Sequence, residues 1–294
     1  MLGILFAALS ALSYGSSDFT GAVASKETDS TLVTVAMQVV SLFCLIGVLL
    51  VFPEDHKSVA DLAWAALGGV GAAFGLATFY KALAIGPMST AASLTALTGA
   101  TVPIIAGLAL GATPSPLALV GIALSVPAVV LVSVGDVGLR AAGPVLRPRS
   151  QYRQRMHTGT TRSLAVAAGL GFGLFFVALS RVSPEAGLFP LLGARVASIL
   201  ALSTVLTLGG SWAPIGRRWW ALIIVAGALD LAANGFYLQA LDYQSLPNVA
   251  AIVSLYPVAT VLLARGLLGE RLARSQVIGL FLSGVALVLV ARGG

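Results

Sequence analysis

One stretch near the end of the chain decides how the whole is organised. Residues Phe236–Val290 read FYLQALDYQSLPNVAAIVSLYPVATVLLARGLLGERLARSQVIGLFLSGVALVLV. Residues Thr78–Val132 read TFYKALAIGPMSTAASLTALTGATVPIIAGLALGATPSPLALVGIALSVPAVVLV, and the two stretches align without a gap. In this register Gly279 falls on Gly121. A match over a whole segment predicts that the chain contains two copies of one structural unit.

The composition sets the class of protein. Of the 294 residues, 58% are hydrophobic and 10% are charged, and the mean hydropathy is +0.98. A soluble domain has about 25% charged residues, so a water-facing globule would not bury this much apolar surface. Lipid is the expected solvent, in which a spanning helix needs about 20 apolar residues. The pI near 9.9 does not indicate nucleic acid binding, because the positive charges lie mostly in loops between apolar segments.

Apolar segments of spanning length divide the chain into ten predicted helices, five in each copy. The predicted spans of the first copy are Leu2–Ala24, Thr31–Phe52, Ala60–Lys81, Met88–Leu110 and Leu117–Val134. Those of the second copy are Ser163–Ser180, Gly187–Leu208, Trp219–Ala240, Pro247–Leu268 and Ser275–Ala291. The boundaries that follow are 1–135 for the first copy, 136–162 for a basic linker and 163–294 for the second copy.

Two segments have alternative interpretations. Leu2–Ala24 ends in a small-residue pattern that is typical of signal-peptide cleavage sites, but it lacks a positively charged start. The linker Asp136–Arg162 carries six arginines and is interpreted as a solvated connector, with contact to lipid headgroups as the alternative.

Five is an odd number, and this has a topological consequence. If the first copy starts on one side of the membrane, the second copy must start on the other side. The two copies therefore insert in opposite orientations. Inverted repeats recur in transporters, in which the substrate site lies near the middle of the membrane between the repeats.

Several short motifs resemble the EamA-type branch of the drug/metabolite transporter superfamily. They are Tyr14-Gly15-Ser16-Ser17-Asp18-Phe19, Tyr80-Lys81-Ala82-Leu83, Tyr237-Leu238-Gln239-Ala240-Leu241, Pro257, Gly269-Glu270-Arg271 and Gly279. The first copy departs from the pattern, because Ala112-Thr113 stands where the second copy has Glu270-Arg271. The resemblance implies ten helices, a central cavity and export of small metabolites or drugs from a bacterial plasma membrane, with both chain termini in the cytoplasm.

The distribution of positive charge conflicts with that last implication. The side that holds the termini carries only Lys57, Arg181 and Arg292. The opposite side carries the linker arginines together with Lys26, Lys81, Arg217, Arg218, Arg265, Arg271 and Arg274. Since cytoplasmic loops are enriched in Lys and Arg, we predict a cytoplasmic linker, against the implication of the resemblance.

The sequence lacks the motifs of most membrane chemistry. It contains no GxxxxGK[ST], GxSxG or HExxH motif, so neither nucleotide hydrolysis nor a catalytic triad is indicated. Cys44 is the only cysteine, and His56 and His157 have no ligand-spaced partners, so no metal or cofactor is expected. The main hypothesis is a secondary transporter working by alternating access, with protons as one candidate for coupling. The alternative is a membrane-embedded enzyme that acts on a lipid or lipophilic substrate.

Polar and aromatic residues inside the spans are the candidate site residues. They are Tyr14, Asp18, Gln38, Tyr80, Arg195, Asp230, Asn234, Tyr237 and Tyr256. For the tyrosines the alternative is packing, for Gln38 an interhelical hydrogen bond, and for Asp18 a local bond to nearby hydroxyls or backbone. Small-molecule substrate and membrane lipid are the expected partners. The oligomeric state is left open.

One ion pair is predicted within the membrane. Arg195 and Asp230 lie near the centres of adjacent spans, and a lone charge there costs about 2.5–3.5 kcal/mol on insertion scales. We therefore expect the two side chains to pair, with Asn234 holding the Asp230 carboxylate from one turn away. The pair is either a permanent structural element or a switch in which Asp230 exchanges Arg195 for a proton or a substrate group.

Pro103 and Pro257 are expected to kink their helices and to free a backbone carbonyl.

Overall fold

The structure is a computed structural model that describes most of the chain. It covers residues 1–25, 28–54, 58–85, 88–133, 158–210, 212, 214–269 and 271–294, except the side chains of 80, 83, 84, 88–90, 93 and 158. Most of the predicted linker, together with His56 and His157, therefore lies outside the described residues. All regular elements in the described ranges are helices.

The helices follow the two predicted copies. The first copy consists of α1 (Leu2–Ala24), α2 (Ser30–Val51), α3 (Val59–Ile85), α4 (Met88–Ala109) and α5 (Pro116–Ser133). The second consists of α6 (Thr158–Leu179), α7 (Leu191–Gly209), α8 (Trp220–Tyr243), α9 (Leu246–Val253), α10 (Pro257–Leu268) and α11 (Arg274–Gly293). Short 3-10 turns precede α7 at Pro184–Ala186 and α8 at Arg217–Trp219.

Length and composition suit these helices to a membrane. Nine segments among the described residues are long and apolar enough to cross a bilayer, and α9 and α10 together form one of them, Leu246–Leu268. The apolar part of α4, Leu94–Ala109, is shorter. With α4, the described part of the chain has ten membrane segments, in agreement with the predicted all-helical membrane fold. α6 begins at Thr158, inside the segment that the sequence assigned to the linker.

The two copies pack with approximate two-fold symmetry. The register that aligns Thr78 with Phe236 also places Gly121 of α5 on Gly279 of α11. A β-carbon on Gly121 would lie 2.8 Å from the backbone nitrogen of Val290, and one on Gly279 would lie 2.7 Å from that of Val132. Val132 and Val290 are themselves repeat partners. The contact of Gly121 with Val290 is therefore equivalent to the contact of Gly279 with Val132, as expected for a two-fold axis between α5 and α11.

Each copy packs mainly against the other. α1 lies along α8, and its repeat partner α6 lies along α3. Glycines permit the close approach of these helices: a β-carbon on Gly71 of α3 would lie 3.0 Å from the carbonyl oxygen of Gly171 in α6, and one on Gly75 would lie 2.9 Å from that of Ala168. The glycines of α3 therefore bring it close to α6, and the repeats interdigitate around a shared centre.

The ninth predicted span is broken, whereas the fourth is not. The chain leaves α9 after Val253, makes a tight turn in which the Tyr256 N–H donates to the Val253 carbonyl at 3.0 Å, and enters α10 at Pro257. Proline has no N–H and is well suited to the first residue of a helix. Pro103, by contrast, lies inside α4, which continues through it. Where the sequence predicted a kink at Pro257, the structure has a complete break between two helices, while α4 is continuous at Pro103.

Candidate functional site

The site begins with one polar face of α1. Three hydroxyl groups at helical spacing on this face donate to α8. The pairs are Ser10 to the Ala233 carbonyl at 2.8 Å, Tyr14 to the Asn234 side-chain oxygen at 2.8 Å, and Ser17 to the Ala226 carbonyl at 2.9 Å. Hydrogen bonds of this kind stabilise helix pairs in lipid by up to about 1–2 kcal/mol each. They hold the first helix of one copy against the third helix of the other.

A buried guanidinium lies at the centre of the cluster. The Arg195 Nη2 atom lies 2.7 Å from Asp230 Oδ2, and Nη1 donates to Gln38 Oε1 at 2.6 Å. The Arg195 side chain is 3% exposed and that of Asp230 is 19% exposed. The predicted ion pair between α7 and α8 is therefore confirmed, and Gln38 adds α2 to it. The Gln38 bond is the interhelical hydrogen bond that the sequence offered as the alternative to substrate binding.

The predicted role of Asn234 is wrong. Its Nδ2 atom donates at 2.7 Å to the backbone carbonyl oxygen of Asp230 and not to the carboxylate. Both groups belong to the same helix one turn apart, so the amide reaches back along α8, while the Asp230 carboxylate points across to Arg195. Asn234 fixes Tyr14 and the α8 backbone instead of the charge.

Asp18 lies one turn beyond Tyr14 on α1, on the same side of the helix. Its side chain is exposed although it belongs to a membrane span. It is close enough to Asp230 and Tyr256 for electrostatic interaction with both. An exposed carboxylate that faces other polar groups of the protein indicates a water-accessible cleft between the helices, since lipid-facing charges are costly.

The break between α9 and α10 forms another wall of this region. Thr260 Oγ1 donates to the Gly15 carbonyl oxygen at 2.9 Å. A β-carbon on Gly15 would lie against the Tyr256 carbonyl oxygen, so only glycine permits α1 to approach the turn this closely. Broken helices recur at transporter sites because their ends present unpaired backbone groups and dipoles. The geometry places Tyr256, half-buried, next to the face of α1 that carries Asp18.

Aromatic rings close the interior side of the cluster. The Tyr14 and Phe176 rings meet edge to face with centroids 5.8 Å apart, and Phe176 packs against Tyr237 at 5.0 Å. Tyr237 is fully buried, and its hydroxyl donates to the Phe176 carbonyl oxygen at 2.9 Å. Tyr237 therefore packs in the core, which is the alternative that the sequence offered for it. The Tyr80 side chain lies outside the described part of the structure.

The two-fold symmetry of the backbone does not extend to this chemistry. The repeat register places Asp18 on Phe176, Arg195 on Met37 and Asp230 on Ala72. Each charged member of the cluster thus has an apolar repeat partner. The structure brings together charge on α1, α7 and α8, and it leaves the corresponding positions of the other copy apolar.

Sequence reasoning missed Phe176, and it missed a pair of carboxylates on the side of the membrane that holds the termini. Phe176 is the repeat partner of Asp18, so the alignment of the two copies could have identified it. Glu54 accepts from the N–H groups of Leu188 and Phe189 at 2.8 and 2.7 Å. Asp61 accepts from the Ser183 N–H at 3.0 Å. These carboxylates hold the α2–α3 connection and the first turn of α3 to the α6–α7 connection, and no motif predicts such contacts.

The cluster has a limited chemical repertoire. Within the described residues, no group of three or more His, Cys, Asp or Glu side chains is placed to hold a metal ion. The groups that do converge can bind a polar molecule, exchange a proton and change partners, which are the operations of a transport site.

Comparison with known proteins agrees with the fold. The model of the EamA-like transporter family matches residues 1–134 and 161–292. A crystal structure of a protein that is 14% identical matches with a TM-score of 0.74, covering 98% of this chain and 97% of the other. At that identity the likeness shows the fold alone. No curated protein matches the chain.

Proposed function

Because the chain belongs to the EamA-like transporter family, we propose that it is a secondary transporter that exports a small metabolite or drug by alternating access. Members of this family are membrane transporters and not enzymes, and the apolar helices make this chain a multi-pass integral membrane protein. Beyond the family's general function, we propose that the direction is export, that transport is coupled to protons, and that the cluster around Arg195 is the substrate site. The proposal also includes a bacterial plasma membrane as the location, with lipid and one small-molecule substrate as partners.

One observation carries the proposal of a site. The Arg195–Asp230 pair joins α7 to α8, Gln38 joins α2 to the same guanidinium, and Tyr14 joins α1 to Asn234. These contacts connect both copies around the middle of the spans. In inverted-repeat transporters, the repeats move relative to each other around such a centre. Because its contacts join both repeats, the cluster changes when the repeats move, and it can therefore link substrate binding to that movement.

Asp18 is the candidate proton carrier. It is exposed, it faces the partly exposed Asp230, and the single guanidinium of Arg195 is already bonded to Asp230 and Gln38. Two carboxylates near one cation leave one negative charge unbalanced, and a proton on Asp18 removes it. Tyr14 and Tyr256 are the other titratable side chains that face this group. Protonation would then alternate with substrate binding.

Reconstitution tests the proposal. Full-length protein in proteoliposomes with an imposed pH gradient is screened with amino acids, purines and cationic drugs, and accumulation is measured with and without the gradient. We expect gradient-dependent movement of at least one compound. Asp18→Asn is expected to remove the pH dependence, whereas Asp242→Asn, at the exposed end of α8, should retain it. Unchanged transport and unchanged pH dependence in correctly inserted Asp18→Asn protein would show that Asp18 is not the carrier.

A further inference from the structure

The charge that a substrate can reach is negative. Among the central ionisable side chains, Asp18 is exposed, Asp230 is 19% exposed, and Arg195 is 3% exposed. The carboxylates therefore lie in front of the guanidinium. An anionic substrate entering the cleft would meet two carboxylates before it reached the one buried cation.

The buried cation is also occupied. Nη1 of Arg195 bonds to Gln38 and Nη2 contacts Asp230. An anion that approached these two nitrogens would compete with Gln38 and Asp230, which are carried by two different helices. Asp18 forms no ion pair with any described residue, so its negative charge is the one that the cluster leaves unbalanced.

Aromatic rings lie beside this carboxylate. Asp18 and Phe176 occupy equivalent positions in the two copies, and the Phe176 ring lies 5.8 Å from that of Tyr14, which is one turn from Asp18. At the break between α9 and α10, the Tyr256 backbone lies against Gly15, which is one turn before Asp18 on α1. Aromatic faces bind organic cations, because the ring quadrupole attracts a positive charge. The region therefore offers one unpaired carboxylate and several rings, arranged without symmetry.

We propose that the transporter recognises a monovalent organic cation, an amine or quaternary ammonium that carries an apolar group. The positive centre lies against Asp18, and the apolar group lies toward Tyr14 and Phe176. Because the repeat partners of the charged residues are apolar, the substrate binds in one orientation only. This inference rests on the proposed transport function but concerns binding, which can be measured separately.

Two matched pairs of probes test the sign of the charge. Tetraphenylphosphonium and tetraphenylborate have nearly the same shape and opposite charge, and benzyltrimethylammonium and phenylacetate form a smaller pair. Binding of each radiolabelled probe to the purified full-length protein is measured by equilibrium dialysis, with protein-free micelles subtracted. We expect both cations to bind and neither anion to bind. Asp18→Asn is expected to weaken cation binding at least tenfold, while Asp242→Asn leaves it unchanged.

The outcomes separate this inference from the transport proposal. Anions binding as tightly as cations, no binding of either cation, or equal cation binding to wild-type and Asp18→Asn protein would each overturn the inference. Cation binding that requires Asp18 but produces no flux in proteoliposomes would support the site and count against transport. Gradient-driven transport of anions or neutral compounds, without cation binding, would support transport and contradict the cation site.

Discussion

Arg195 places a strong constraint on its surroundings at the level of single residues. A buried carboxylate that loses its partner can take up a proton, but the arginine side chain stays charged under all ordinary conditions. The two halves of the Arg195–Asp230 pair are therefore not equivalent. Removing the acid leaves an uncompensated charge with 3% exposure, whereas removing the base leaves a group that can neutralise itself.

We accordingly expect Asp230→Asn to destabilise the protein by about 3–5 kcal/mol, the usual cost of breaking a buried pair from one side. Arg195→Ala should cost less in stability, although it also removes the bond to Gln38. Thermal unfolding in detergent, with Asp242→Asn as the control, measures the difference. An Asp230→Asn protein that unfolds at the wild-type temperature would contradict the argument.

The double variant Arg195→Asp with Asp230→Arg distinguishes a structural pair from a switch. A permanent pair needs only opposite charges 2.7 Å apart, so the swapped protein should fold and transport. A switch needs the carboxylate on the partly exposed position, because only there can a proton or a substrate reach it. If the pair is a switch, we expect a folded protein with less than a tenth of the wild-type transport. Transport at the wild-type rate by the swapped protein would leave only the structural role.

At the level of elements, α1 packs closely against the α9–α10 break. Gly15 lies directly against the Tyr256 backbone, and the Thr260 hydroxyl bonds to the Gly15 carbonyl oxygen. The break can therefore keep its geometry only while α1 presents no side chain at this position. Any added carbon must move backbone and not merely a flexible side chain.

Gly15→Ala is expected to separate α1 from α10, to lower thermal stability by about 1–3 kcal/mol through overpacking, and to reduce transport. Gly47→Ala in α2 is the matched control, because its β-carbon would meet nothing within 4 Å. That change should be neutral, or stabilising by less than about 1 kcal/mol, since alanine favours the helix. Equal stability and equal transport for the two variants would show that the close approach is unimportant.

At the level of the whole molecule, the side of the membrane on which the linker lies is still a prediction. The linker side carries Arg217, Arg218, Arg265, Arg271 and Arg274 in addition to the linker arginines. The positive-inside rule therefore places the linker in the cytoplasm, whereas the resemblance to the family implies the opposite.

Cysteine labelling resolves this conflict. In a Cys44→Ser background, a single cysteine is placed in the linker at Ser150, or at Gly294 near the opposite side. A membrane-impermeant reagent added to intact cells should label the Gly294→Cys protein and not the Ser150→Cys protein. Permeabilised cells provide the control, because both proteins should then react. Labelling of the linker cysteine from outside intact cells would reverse the orientation.

The sequence alone determined the membrane class, the number of spans and the inverted arrangement. In lipid every helix must satisfy its backbone hydrogen bonds internally, so apolar length along the chain is enough to find the spans. The repeat and its odd span count then imply the inversion. The Arg195–Asp230 pair was also predictable, because two opposite charges at similar depth on adjacent spans have few other partners.

Only the tertiary structure decided which polar groups meet. The helices are apolar on nearly all sides, so hydrophobic periodicity does not reveal which face points inward. The bond from Tyr14 to Asn234 and the packing of Phe176 on Tyr237 join residues that are distant in the chain, and they depend on helix rotation. The same is true of Asp18, whose exposure toward the cleft follows from the packing of α1 against α8 and the broken helix and not from its neighbours in sequence.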